Sequence, residues 1–123
     1  MPLVDIHGVY EITPFHQSTT ESRQMPLRNK TIFPANRHAL YEQHGYSAAV
    51  QAGDLVFISG QVGSRDDGTP EPDFCRQVQR AFDNLRAVLE AAGCTLDDIV
   101  DVTTFHTNPD EQFATIMDVK AEV

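Results

Sequence analysis

The stretch Tyr46-Ser47-Ala48-Ala49-Val50-Gln51-Ala52-Gly53-Asp54-Leu55-Val56-Phe57-Ile58-Ser59-Gly60-Gln61-Val62 carries the clearest strand signal in the chain. Its two halves, 46–52 and 55–62, are strand-sized and supply Val, Ile and Phe on either side of Gly53-Asp54. So short a link predicts an antiparallel β-hairpin. Gly60 interrupts the second half, and a glycine inside a strand marks a bulge or a close approach by another backbone or a ligand.

Beyond the hairpin, Gly63 to Pro72 is a loop by composition. Its acids do not follow the Asp-x-Asp-x-Asp-Gly spacing of a calcium loop, so they read as solvated turn residues. Asp73 is a helix N-cap, since a short carboxylate accepts hydrogen bonds from the first free amides. Val78, Ala81, Phe82, Leu85, Val88, Leu89 and Ala92 then recur at steps of three and four, and Gly93 is the left-handed terminator. Residues 99–107 predict a third strand. Asn108-Pro109-Asp110-Glu111 predicts a second helix start, capped by Asn108, with Phe113, Ile116 and Met117 directed at a sheet and Lys120 lending its aliphatic stem. The order strand, strand, helix, strand, helix is economical only as an α+β fold, an antiparallel sheet with both helices packed on one face. A further strand is expected after the second helix.

Before the hairpin the signal fades. Residues 1–29 read as an N-terminal extension ahead of a domain at 30–123, with Pro2, Pro14 and Pro26 and a polar run from Gln17 to Gln24. Residues 4–12 form a weak strand candidate, because His7 and Gly8 interrupt it. A second Met-Pro-Leu begins at Met25, which leaves two readings, a functional arm or a later start.

The 123 residues suit one domain, and 41% apolar with 22% charged residues is ordinary globular composition. No apolar run approaches the ~18 residues of a membrane span, and no basic-then-apolar leader opens the chain, so neither a membrane nor secretion is expected. The net charge is −9, all of it carried by residues 37–123. Such a surface repels phosphate backbones, so nucleic acid is not an expected partner. Cys75 and Cys94 flank the first predicted helix and lie roughly 28 Å apart along it, too far for a bridge. Free thiols fit a reducing cytoplasm. His7, His16, His38, His44 and His106 form no metal-binding motif with each other or with the cysteines, and no glycine-rich phosphate loop is present. No metal and no cofactor are expected.

Three blocks carry a resemblance: residues 45–63, the run Phe82-Asp83-Asn84-Leu85-Arg86-Ala87-Val88-Leu89-Glu90-Ala91-Ala92-Gly93, and Asp97-Asp98-Ile99-Val100-Asp101-Val102-Thr103-Thr104-Phe105. In this order they resemble the YjgF/RidA family of reactive-intermediate deaminases, and residues 60–74 resemble its divergent YjgH branch. The resemblance implies a chorismate-mutase-like α+β subunit lacking its last strands. It implies a homotrimer with sheets lining the interior, small-molecule clefts between subunits, and hydrolysis of enamines and imines such as 2-aminoacrylate without a cofactor. Tyr46 matches the tyrosine lining the cleft, and Ser59-Gly60 the strand segment approaching the ligand. Gln61 follows them, and His106 lies on the strand expected beside the cleft. The arginine that clamps a substrate carboxylate and the late glutamate that handles protons belong to the part beyond the second helix. No residue is therefore assigned as catalytic, and Arg76, Arg80 and Arg86 are expected on the solvent face of the first helix.

Three readings follow. The chain is an imine or enamine deaminase, a non-catalytic trimer binding small carboxylate metabolites, or an inactive truncated product.

Overall fold

The computed structural model describes residues 4–11 as backbone, residues 29–35, and residues 38–123 with His38 as backbone only. The elements in chain order are β1 Val4–Glu11, β2 Lys30–Ile32, α1 His38–His44, β3 Ala49–Ala52, β4 Leu55–Val62, α2 Phe74–Ala91, a 3-10 turn Leu96–Asp98, β5 Ile99–His106 and α3 Pro109–Glu122. The five strands form one antiparallel sheet in the order β2-β3-β4-β1-β5. The α+β class read from the sequence is the observed one.

The hairpin forms as expected, with Ala52 opposite Leu55 and Gly53 at φ +62° supplying the turn. Its first strand starts at Ala49 rather than Tyr46, because residues 45–48 belong to the exit of α1. Ala49 and Ile58 pair on the inner face with Ile32 opposite Ala49, and all three are buried.

The weak candidate at the N-terminus takes a central place. β1 pairs with β4 on one side and β5 on the other, and among the described strands β5 joins the sheet only through β1. Its pairing also exposes a bulge in β4. Ile6 lies opposite Gln61 and Gly8 opposite Ile58, so His7 faces the two residues Ser59 and Gly60. The extra residue reverses the alternation: Val56 and Ile58 are buried before it, Gln61 and Gly63 after it.

Helix α2 packs as its stripe predicts. Val78, Ala81, Leu85, Val88 and Leu89 have no accessible surface, and each large aliphatic side chain so buried contributes roughly 1.5–3 kcal/mol. The Asp73 carboxylate accepts from the Arg76 amide at 3.0 Å. At the other end Gly93 has φ +76°, the Gly93 amide donates to Glu90 O and the Cys94 amide to Leu89 O, which is a Schellman closure with Cys94 and Leu89 both buried. Cys75, by contrast, is exposed, and both thiols are free.

α3 departs from expectation twice. Asn108 makes no side-chain cap; Gln112 instead accepts from the Asn108 amide at 3.2 Å through its own Oε1, because its longer side chain reaches back over the first turn. Ile116 and Val119 are the buried apolar residues, while Phe113 is 62% and Met117 42% exposed. The helix packs against α2 and leaves those two side chains beside an open groove.

Candidate functional site

Tyr46 is placed by the end of α1. Gly45 takes φ +72°, its amide donates to Glu42 O at 3.2 Å, and the Tyr46 amide donates to Tyr41 O at 3.2 Å. This is again a Schellman closure, and its usual apolar contact is made by two aromatic rings: Tyr41 and Tyr46 meet edge to face with centroids 5.1 Å apart. Tyr41 is buried and also packs edge-on against Phe33. A seven-residue helix with one glycine thus fixes the ring of Tyr46 at the surface, where it is 47% exposed.

Below that ring lies a cavity of about 160 Å³. Leu40, Tyr41 and His44 of α1 line one side, Gly60, Gln61 and Val62 of β4 the floor, and Ser64 and Gly68 the far wall. Gln61 is 2% exposed, and its amide is used within the wall: Oε1 accepts from the Tyr41 hydroxyl at 3.2 Å and Nε2 donates to Ser59 O at 3.0 Å. Leaving such a buried amide unpaired would cost ~1–3 kcal/mol, so the β4 bulge and α1 are locked together by these bonds. Ser59 donates its hydroxyl to Ser47 O at 2.7 Å and its amide to Ala48 O at 2.9 Å.

Among the described lining residues there is no carboxylate, lysine or arginine, and the polar side chains are those of Tyr41, His44, Tyr46, Gln61 and Ser64. The hydroxyl of Tyr46 and the ring of His44 have no hydrogen-bond partner among the described residues, so both are available to a ligand.

The far wall belongs to a stapled loop. Arg65 donates Nε and Nη2 to the two oxygens of Glu71, each at 3.3 Å, and Arg80 of α2 stands 3.6 Å from the same carboxylate. The bonds from the Arg65 guanidinium hold the Glu71 carboxyl below its ordinary value. Arg80 is thus half-buried and paired rather than solvated, whereas Arg76 is exposed and Arg86 pairs with Asp83 at 3.4 Å.

Of the residues singled out from the sequence, Tyr46, Gly60 and Gln61 line this one cavity, and Ser59 lies in the bulge beside it. His106 lies elsewhere. It lines a groove of about 590 Å³ between β5 and α3, with its Nε2 2.8 Å from Thr104 Oγ1 and its Nδ1 buried without a partner among the described residues. His44, Ser64 and Gly68 escape a sequence reading; the spacing Leu40, Tyr41, His44 ahead of Gly45 is the one signal that points to a capped helix there. No cluster of three or more potential metal ligands occurs among the described residues, and none of the helices searched is long and apolar enough to cross a membrane.

Comparison with known proteins identifies the family. The profile of the Endoribonuclease L-PSP family matches residues 36–123, a span that leaves β1 outside. The chain is 67% identical over 97 residues to the RutC family protein YjgH of Escherichia coli (strain K12), covering 79% of this chain and 74% of that protein. It is 33% identical over 89 residues to the 2-iminobutanoate/2-iminopropanoate deaminase of the same organism, covering 72% and 67%. The solved structure of protein YJGH superposes with a TM-score of 0.74 at 66% identity, over 76% of this chain and 72% of that one. On the breadth of these matches, the chain belongs to the Endoribonuclease L-PSP (YjgF/RidA) family.

Proposed function

We propose that the chain binds small imines or enamines of 2-oxoacids in the Tyr46 cavity and hydrolyses them to the 2-oxoacid and ammonia. The observation that carries this reading is the convergence of Tyr46, Gly60 and Gln61 on one small cavity in a chain whose relatives include a 2-iminobutanoate/2-iminopropanoate deaminase. In the reaction water adds to the C=N carbon, and the resulting carbinolamine loses ammonia. Tyr46 and His44 are the side chains placed to hold the substrate; the wall of Gln61 and Tyr41 is committed to its own bonds and shapes the space. A cavity without an arginine clamp forfeits a charge-assisted carboxylate contact, so turnover is expected to be slower by ~10² than in a relative that has one. The test is the rate of 2-aminoacrylate loss above its spontaneous rate, with Tyr46→Ala as the comparison. Equal rates with and without protein defeat the reading.

The absence of carboxylate, lysine and arginine among the described lining residues favours a second reading, a non-catalytic binder of small metabolites in the same cavity. Binding of pyruvate without turnover of 2-aminoacrylate selects it. The acidity of the chain, −9 in 123 residues, argues against RNA as a substrate despite the family's descriptive name.

Self-association, as a trimer by family resemblance, is supported by the apolar side chains Leu55, Phe57 and Phe105, which are exposed on the strands. Two free cysteines are consistent with a cytoplasmic setting.

A further inference from the structure

Residues 63–72 have the composition of a mobile surface loop, yet they fold back on themselves. Ser64 bridges Pro70, the Arg65 amide donates to Thr69 O at 2.7 Å, and the Gly68 amide donates to Arg65 O at 2.9 Å. Asp67 closes the tip by accepting from the Thr69 amide and hydroxyl at 2.9 and 2.6 Å. The base of the loop is fixed as firmly. The Glu71 amide donates to Gly63 O at 2.9 Å, Gln77 Nε2 to Glu71 O at 3.0 Å, and Asn84 Nδ2 to Val62 O at 2.8 Å.

One side chain ties tip, base and helix together. The carboxylate of Glu71, a residue only 7% exposed, takes both bonds from Arg65 on the loop and faces Arg80 on α2. Removing a buried partner of this kind leaves two guanidinium groups facing each other without their counter-charge. Ser64 and Gly68, which this arrangement positions, form the far wall of the Tyr46 cavity. We propose that Glu71 is a positioning residue for that cavity: it never touches the ligand, but its ties to Arg65 and Arg80 set the wall against which the ligand packs.

The proposal rests on the reading of the Tyr46 cavity as a ligand site, and the experiment separates the two. Amide hydrogen exchange and pyruvate titration by two-dimensional NMR are recorded for the unaltered chain, Glu71→Gln, Arg80→Gln and, as a control, Asp83→Asn. In Glu71→Gln the Arg65 and Gly68 amides should exchange ~10-fold faster or more while those of β3 and β4 are unchanged. Pyruvate affinity should fall about tenfold, the equivalent of one charge-assisted hydrogen bond. The pyruvate-induced shift of the Gly68 amide should vanish while that of Tyr46 persists, a signature that simple loss of stability does not give. Arg80→Gln should show the same pattern more weakly, and Asp83→Asn should match the unaltered chain. Unchanged affinity in both Glu71→Gln and Arg80→Gln overturns the positioning role alone. Absence of pyruvate binding by the unaltered chain overturns the cavity reading, and the positioning role with it.

Discussion

The two flanks of the sheet are finished to different degrees. At the β3–β4 flank the buried polar side chains Gln61, Gln77 and Asn84 all have partners, a capped helix sets Tyr46, and a stapled loop closes the wall. At the β5–α3 flank Val102, Phe113 and Met117 are exposed, Phe105 is 58% exposed, and the buried Nδ1 of His106 has no partner among the described residues. The two cavities differ in size and surroundings: the first measures about 160 Å³ between hydrogen-bonded walls, the second about 590 Å³ beside exposed apolar side chains. On the proposed reading, hydrogen-bonded polar walls rather than size mark the ligand end.

The sharpest test of that contrast is core deletion. Ile58→Ala removes a β4 side chain only 4% exposed and should cost ~2–5 kcal/mol in chemical denaturation. Met117→Ala, at 42% exposure beside the groove, should cost less than ~1 kcal/mol. Equal losses would mean that the second flank is as closed as the first.

Next in size is Gly63→Ala. A Cβ at Gly63 would overlap the carbonyl and side chain of Gln77, so β4 and α2 must part, at ~1–3 kcal/mol by the same denaturation measurement. Tyr41→Phe is smaller. It leaves Gln61 Oε1 buried without its donor and should cost ~1–2 kcal/mol, whereas Thr104→Val at the other flank, where the partner ring is half-exposed, should stay within ~0.5 kcal/mol.

The smallest effect is one of pH. The Glu71 carboxyl is held below its ordinary 4.5 by its bonds from Arg65, and the Asp67 carboxyl below 3.8 by its bonds from Thr69. Groups depressed on folding stabilise fully above their ordinary values and lose that contribution as pH falls through the lower folded ones. Exchange of the Arg65 and Gly68 amides, corrected for its intrinsic pH dependence, should therefore stay flat down to that range and rise only below it. A rise already beginning near neutral pH would contradict the pairing.

Much of this was legible in the residues. The α2 stripe with Asp73 and Gly93 at its ends states the helix outright, and Gly53-Asp54 between two apolar runs states the hairpin. Tyr46, Gly60 and Gln61 were reached through the glycine and the family resemblance. The rest depends on non-local pairing. Nothing in Val4–Glu11 says that it enters between β4 and β5, because a strand's slot is set by its neighbours rather than by its own sequence. The burial of Gln61 follows from the bulge that β1 reveals, and His44, Ser64 and Gly68 reach the cavity through a helix cap and a loop fold. The error at Asn108 was local: an asparagine ahead of a proline satisfies the cap pattern, but Gln112 supplies the bond.

On the proposed reading the Tyr46 flank is the ligand site. Its most direct test is a map of amide shift changes on adding pyruvate to the unaltered chain. The largest changes should fall on Tyr46, Gly60, Gln61 and Gly68. Changes confined to Val102, Thr104, His106 and Phe113 would contradict the account and move the site to the β5–α3 groove.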